Sequence, residues 1–274
     1  MPSYLSINKR IDSFNKKIII SGDKSLSIRW VLLASQAIGK SKAYNLLMSE
    51  DVIAALEDIK KLGIKVLIKK EYCEILGKGL NNFTYKNGLV IDAKNSGTLG
   101  RLILGLLIKS TKKIKLIGDK SLSKRDFSRE IEKIKKFGAK FQYKVKNKLP
   151  LSIIGSNNSK DIHYVENRGS AQCKSCVMLA AIKSSGTTYI KAKKSRNHTE
   201  LLFKYLKVPI KIKKTKKYDF INIINPKKIN AFNYNIPGDI SSSAFFMVLA
   251  ILSENSKLLI KNININPSRI GVIT

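Results

Sequence analysis

Four Gly/Ser-rich turns, each opening into an apolar run, recur along this chain at nearly constant spacing. They are Gly22-Asp23-Lys24-Ser25, Asn95-Ser96-Gly97-Thr98, Gly169-Ser170-Ala171-Gln172 and Gly238-Asp239-Ile240-Ser241. Gly22, Gly97, Gly169 and Gly238 stand 75, 72 and 69 residues apart. Self-similarity at a fixed spacing marks a repeated supersecondary unit. The runs that follow, Trp30–Ala37, Leu99–Ile108, Val177–Ile182 and Phe245–Leu252, are apolar along nearly their whole length. A helix of that kind belongs inside a core, not on a surface.

A second helix follows in the first three units, starting near Glu50-Asp51, Arg125-Asp126 and Arg196-Asn197. Val52, Leu56 and Ile59 fall at i, i+4 and i+7, which predicts one apolar face. Gly63 and Gly138 stand where a helix-ending glycine belongs. The repeat therefore reads as strand, buried helix, strand, surface helix and two strands, an α/β class built from βαβαββ units. Three units are complete between Gly22 and Phe232. A fourth opens at Gly238, with Pro267-Ser268-Arg269 where its second helix would begin. Half a unit exposes its apolar helix at a cost of ~25 cal/mol per Å². The pattern thus predicts a sequence truncated at its C-terminal end.

The net charge of +33 raises nucleic acid as a partner. Only eight of the 52 basic residues are arginine, however, and the lysines run through every segment. No clustering of basic and aromatic residues predicts a platform on which bases would stack. The charge is read as solvated surface lysine, with no nucleic-acid or membrane partner. Three cysteines predict no disulfide framework and a reducing cytoplasm. Cys173 and Cys176, a single C-x-x-C pair, are read as small packing residues on a helix and not as a metal or redox site.

One motif occurs twice almost letter for letter: GDKSLSIR from Gly22 to Arg29 and GDKSLSKR from Gly118 to Arg125. Each places Lys, Ser and Arg around a glycine turn at a helix start, where backbone N–H groups and the positive helix end favour anions. Guanidinium adds planar, two-pronged recognition of phosphate or carboxylate. Of the eight arginines, Arg29, Arg101, Arg125 and Arg196 lie at such turns or helix starts. In a chain that otherwise uses lysine for positive charge, that placement points to anion binding.

These residues resemble the enolpyruvyl transferases that act on shikimate 3-phosphate. Ser21–Ala34 is similar to that family's N-terminal signature, and Asn95-Ser96-Gly97-Thr98 with Arg101 to its N-[SA]-G-T-x-x-R motif. Gly118–Arg125 resembles its GD-x-S-x-x-[KR]-R segment, and Ser170-Ala171-Gln172 with Lys174 its SAQ-x-KS. Ser195–Glu200 resembles SRDHTE, and Ile236–Asp239 resembles VPGD. The motifs stand in family order over nearly the whole chain. The sister transferase acting on UDP-N-acetylglucosamine shares the fold but leaves the SAQ-x-KS and SRDHTE likenesses unexplained. An inactive anion-binding fragment of the shikimate enzyme is the other alternative.

The resemblance implies a two-domain enolpyruvyl transferase fold, an inside-out α/β barrel, with the second domain incomplete. Domain one would span 21–234, and domain two would take 1–20 and 235–274, with helix N-termini facing a cleft. Shikimate 3-phosphate would be bound by Lys24, Ser25, Arg29, Ser170, Ala171, Gln172 and Arg196. Phosphoenolpyruvate would be bound by Lys24, Asn95, Gly97, Arg125 and Gln172, with Lys24 catalytic between the two. Arg101 would support its turn. The enolpyruvyl group would pass to the substrate 5-hydroxyl with release of phosphate, in aromatic amino acid biosynthesis. No cofactor or metal is implied, the full-length enzyme would be a cytoplasmic monomer, and glyphosate would inhibit it. The family's catalytic carboxylates would fall beyond Thr274. Departures from the pattern are Ser21, Trp30 and Asp126, the last setting a carboxylate beside Arg125 in the sequence, where it would either favour a helix N-terminus or weaken anion binding.

Overall fold

The computed structural model describes residues 12–273. By packing the chain separates into two compact units, one from Lys24 to Ile236 and one combining the described residues before Lys24 with those from Pro237 onward.

Within the larger unit, helix α1 (Lys24–Gln36) leads to β2 (Ile38–Tyr44), α2 (Glu50–Lys61), β3 (Lys65–Ile68) and β4 (Tyr72–Lys78). The second repeat comprises β5 (Leu89–Asp92), α3 (Gly97–Leu106), β6 (Ile114–Ile117), α4 (Lys120–Lys124), α5 (Ser128–Lys136), β7 (Lys140–Tyr143) and β8 (Leu151–Ile154). The third comprises β9 (His163–Glu166), α6 (Ala171–Ala181), β10 (Thr187–Lys193), α7 (His198–Tyr205), β11 (Ile210–Lys214) and β12 (Tyr218–Ile224), and β13 (Asn233–Asn235) follows. Three four-stranded sheets result, ordered β13-β2-β4-β3, β5-β6-β8-β7 and β9-β10-β12-β11. In each the first pair is parallel and the others antiparallel.

The first sheet departs from the simple repeat. Its leading strand is β13, paired with β2 as Asn233–Lys42 to Asn235–Tyr44, and not the strand that precedes α1. That strand, β1 (Asn15–Ile19), pairs in parallel with β14 (Lys257–Lys261) in the smaller unit, on either side in sequence of α8 (Ile240–Leu252). The first and fourth repeats have exchanged leading strands. The two chain crossings lie side by side, with Asp23 N donating to Pro237 O at 2.8 Å and Asp239 N to Ser21 O at 3.0 Å.

The centre of the larger unit is the bundle of α1, α3 and α6, where Ile28, Trp30, Leu102, Leu104, Cys176 and Met178 are fully buried. The outer helices α2 and α5 are amphipathic and bury Val52, Leu56, Ile59, Ile131 and Ile134. Each ends at the expected glycine, Gly63 at φ +84° and Gly138 at φ +101°, in the left-handed region that helix-ending residues adopt. Cys173 and Cys176 are buried on α6 as free thiols. In the smaller unit α8 is equally apolar yet open, with Phe245 79% and Ile251 80% exposed.

One surface corrects the sequence reading. On the third sheet His163, Tyr189, Asn222 and Lys211 stand in one cross-strand row, and Val165, Lys191, Phe220 and Lys213 in the next. His163 stacks on Tyr189 at 4.7 Å, and Lys191 Nζ lies 4.8 Å from the Tyr218 ring centroid. A basic and aromatic cluster does exist. It is assembled from strands far apart in the sequence, so no local window reveals it.

Candidate functional site

The turns before α3 and α6 are organised by capping. Ser96 Oγ accepts from Leu99 N at 3.2 Å, and Ser170 Oγ accepts from Cys173 N at 3.2 Å. Each serine satisfies one orphan amide of its helix and leaves the rest of the positive end available. Ser170 N in turn donates to Glu166 Oε2 at 2.9 Å, which fixes the loop after β9.

Asn95, Gly97 and Arg125 come together in space. Arg125 Nη2 donates to Asn95 Oδ1 at 3.0 Å, and Asn95 Nδ2 donates to Asp119 Oδ2 at 2.6 Å. A Cβ placed on Gly97 would lie 2.9 Å from Arg125 Nη1, so the guanidinium sits directly against the glycine. Asn95 and Arg125 are both exposed, leaving the remaining guanidinium donors open to an anion. Gln172 belongs to the same group: its Nε2 donates to Thr98 Oγ1 at 3.1 Å and ties the third turn to the second.

The carboxylate beside Arg125 in the sequence is not the one that faces it. Asp126 accepts from Ser128 N at 3.0 Å and takes a 2.5 Å bond from Ser128 Oγ. These bonds hold its carboxyl below the usual range and commit it to the start of α5. Asp119 is the acid of this cluster. Its carboxyl is also held low, first by the Leu122 amide and then by Asn95, with the Arg125 charge contributing. The sequence reading missed Asp119 because its role as N-cap of α4 hides a second contact made across the turn.

Two arginines are further inside than their motifs suggest. Arg29 is 4% exposed; its Nε donates to Thr199 Oγ1 at 2.8 Å, Nη1 to Ser25 O at 2.9 Å and Nη2 to Ser175 Oγ at 3.1 Å. It joins α1 to α6 and α7. Arg101 pairs with buried Glu130 at 2.9 Å, donates to Asp126 O and lies over the Phe127 ring. It ties α3 to the start of α5, and none of these contacts reaches the Asn95–Thr98 turn.

Lys24 is half exposed and pairs with Asp51 at 3.0 Å, at the first turn of α2. That carboxylate is a second residue the motifs do not flag. Ser25 and Ala171 are partly open, and Arg196 is exposed just before α7 with no carboxylate partner among the described residues. Lys174, in the third motif, is fully buried and meets Glu200 at 2.6 Å, so it is structural. Among the described residues no cluster of His, Cys, Asp or Glu could hold a metal ion, and no helix is long and apolar enough to cross a membrane.

This arrangement can bind anions at the open ends of three helices with Lys24, Arg125 and Arg196 as charges. Residues 9–274 match the family model for EPSP synthase (3-phosphoshikimate 1-carboxyvinyltransferase). A 3-phosphoshikimate 1-carboxyvinyltransferase of Thermoanaerobacter sp. (strain X514) is 36% identical over 271 residues, which is 98% of this chain and 62% of the relative. The enzyme of that name from Ruthia magnifica subsp. Calyptogena magnifica is 39% identical over 266 residues, 97% of this chain and 60% of the relative. An EPSP synthase structure from Acinetobacter baumannii superposes with a TM-score of 0.86 at 31% identity, covering 95% of this chain and 58% of that one. The chain therefore spans about three-fifths of the length of the curated relatives it matches.

Proposed function

The chain belongs to the EPSP synthase family, and from that premise we propose that it serves the transfer of the enolpyruvyl group from phosphoenolpyruvate to the 5-hydroxyl of shikimate 3-phosphate. Both substrates are multiply charged anions, which accounts for lysine and arginine converging at helix N-termini. In this reading Lys24, Ser25, Arg29, the Ser170–Gln172 turn and Arg196 hold shikimate 3-phosphate. Asn95, Gly97, Arg125 and Gln172 hold phosphoenolpyruvate. The 5-hydroxyl gives up its proton as its oxygen bonds to C2 of phosphoenolpyruvate and C3 takes a proton; C3 then loses a proton as the C2–O bond to phosphate breaks, which regenerates the vinyl group and releases phosphate. Lys24 offsets charge at that centre once substrate draws it from Asp51.

The observation that supports this most is the Gln172–Thr98 bond, because it joins the Ser170–Gln172 turn to the turn that carries Asn95 and Gly97. The acid–base groups required for turnover are assigned, by the family resemblance, to the part of the relatives' length that this chain does not span. The proposed protein acts on small molecules, as a monomer, in the cytoplasm.

The test is phosphate release from phosphoenolpyruvate on addition of shikimate 3-phosphate. It is run with the 274-residue chain and with that chain joined to the C-terminal part of the Thermoanaerobacter relative. Release by the joined protein alone, lost again on Arg125→Ala, is the expected result. Release by neither rejects the function. Release by the chain alone rejects the placement of the acid–base groups.

A further inference from the structure

The core of the larger unit contains two fully buried lysines, Lys174 and Lys183. Lysine is almost never fully buried unless paired. Lys174 has Glu200. Lys183, just past the end of α6, has no carboxylate among its contacts. Its Nζ donates to the Leu106 carbonyl at 2.7 Å, at the C-terminus of α3, and lies 4.8 Å from the Phe83 ring centroid. An ammonium carries three N–H donors, and the carbonyl takes one.

Lys183 lines a cavity of about 260 Å³. Its wall is formed by the connections after β4, α3 and β8, which contribute Thr84, Lys109, Ser110, Lys112 and Asn157. No Asp or Glu lines it, so three cations meet hydroxyl and amide groups without a counter-charge. Burial, with the nearby Lys109 charge adding to it, pushes the Lys183 ammonium down to about 7. A water's share of liquid volume is about 30 Å³, so the space accommodates a tetrahedral oxyanion with its waters. The cavity lies at the C-terminal ends of α3 and α6, whereas Thr98 and Gln172 lie at their N-terminal ends, about 15 Å away along a ten-residue helix.

We propose that this cavity is a second anion site that takes a phosphate group, with Lys183 as its buried charge and Lys109 and Lys112 closing on the ligand from the surface. It is independent of the substrate assignments above. The shared chemistry is the phosphate group, whether free or carried as a monoester.

The test is the thermal unfolding midpoint of the whole chain in inorganic phosphate, in glycerol 3-phosphate and in potassium chloride of equal ionic strength. Ligand binding to the folded state alone raises the midpoint. Phosphate should raise it by about 2–4 °C above chloride in wild type and in Arg125→Ala, and by much less in Lys183→Met. Should Lys183→Met fail to fold, Lys109→Ala/Lys112→Ala leaves the core intact and should lose at least half the rise. A larger shift with glycerol 3-phosphate assigns the site to a monoester, and a larger one with inorganic phosphate to the free ion. Equal rises in wild type and in these lysine variants overturn the proposal. So does a rise matched by chloride, or one lost in Arg125→Ala.

Discussion

The Arg125 guanidinium lies 2.9 Å from the point that a Cβ on Gly97 would occupy. A methyl at Gly97 would therefore displace Arg125, which can swing because it is exposed and its bond to Asn95 is a single one. In a close-packed anion site that displacement falls hardest on the longer of two competing ligands. In a turnover-competent protein carrying this chain, Gly97→Ala should raise the glyphosate concentration for half inhibition at least tenfold while activity stays measurable. An inhibition series on both proteins checks this.

Lys174 and Glu200 tie α6 to α7 inside the core. Removing one partner leaves a buried charge alone, at about 3–5 kcal/mol. Lys174→Met should lower unfolding stability by that amount. Lys174→Met/Glu200→Leu should recover most of it, as read by denaturant titration.

Asp58 gives a pH signature. Burial raises its carboxyl to about 6, against which it accepts from Asp92 N at 2.9 Å and sits 3.6 Å from Lys61. Between about 4 and 6 the folded state binds a proton that the unfolded state has lost, so stability falls as pH rises through that window. Asp58→Asn keeps an acceptor for the Asp92 amide and cannot ionise. Its stability profile should lack that fall and exceed wild type at pH 7.

Much of this architecture was legible in the sequence. The four turns, the buried helices and the glycines at 63 and 138 follow from spacing and from apolar runs, which are local signals. The exchange of leading strands was implied only by the family resemblance, which groups 1–20 with 235–274, because β1 and β13 each precede an apolar helix and only pairing across 242 and 191 residues distinguishes them. Within the site, Asn95, Gly97 and Arg125, named from separate motifs, meet in space. Of the two roles open to Asp126, the structure shows the helix start, where it turns to Ser128, while Asp119 and Asp51, which the motifs do not flag, reach the basic residues through space. Arg29 and Arg101 carry binding motifs yet spend most of their donors on neighbouring helices, which spacing alone does not reveal.

The lysine and aromatic face of the third sheet bears on the high net charge. Its stacked His163–Tyr189 pair and Lys191 would accept single-stranded polymer non-specifically. Filter binding of random oligonucleotides should show no sequence preference and fall steeply between 50 and 200 mM salt, roughly in proportion to the phosphates neutralised. A sequence-selective complex surviving at the higher salt would refute the reading of this charge as solvated lysine.

Arg196 bears most directly on the central claim, because it is exposed before α7 with no carboxylate partner among the described residues. Titration calorimetry of shikimate 3-phosphate into the 274-residue chain and its Arg196→Ala variant isolates the binding role from turnover. The account predicts measurable binding to the wild type and a loss of about 1.5–3 kcal/mol in the variant, the range for a charge-assisted hydrogen bond. Equal affinities, or no binding to a folded wild-type chain, would contradict it.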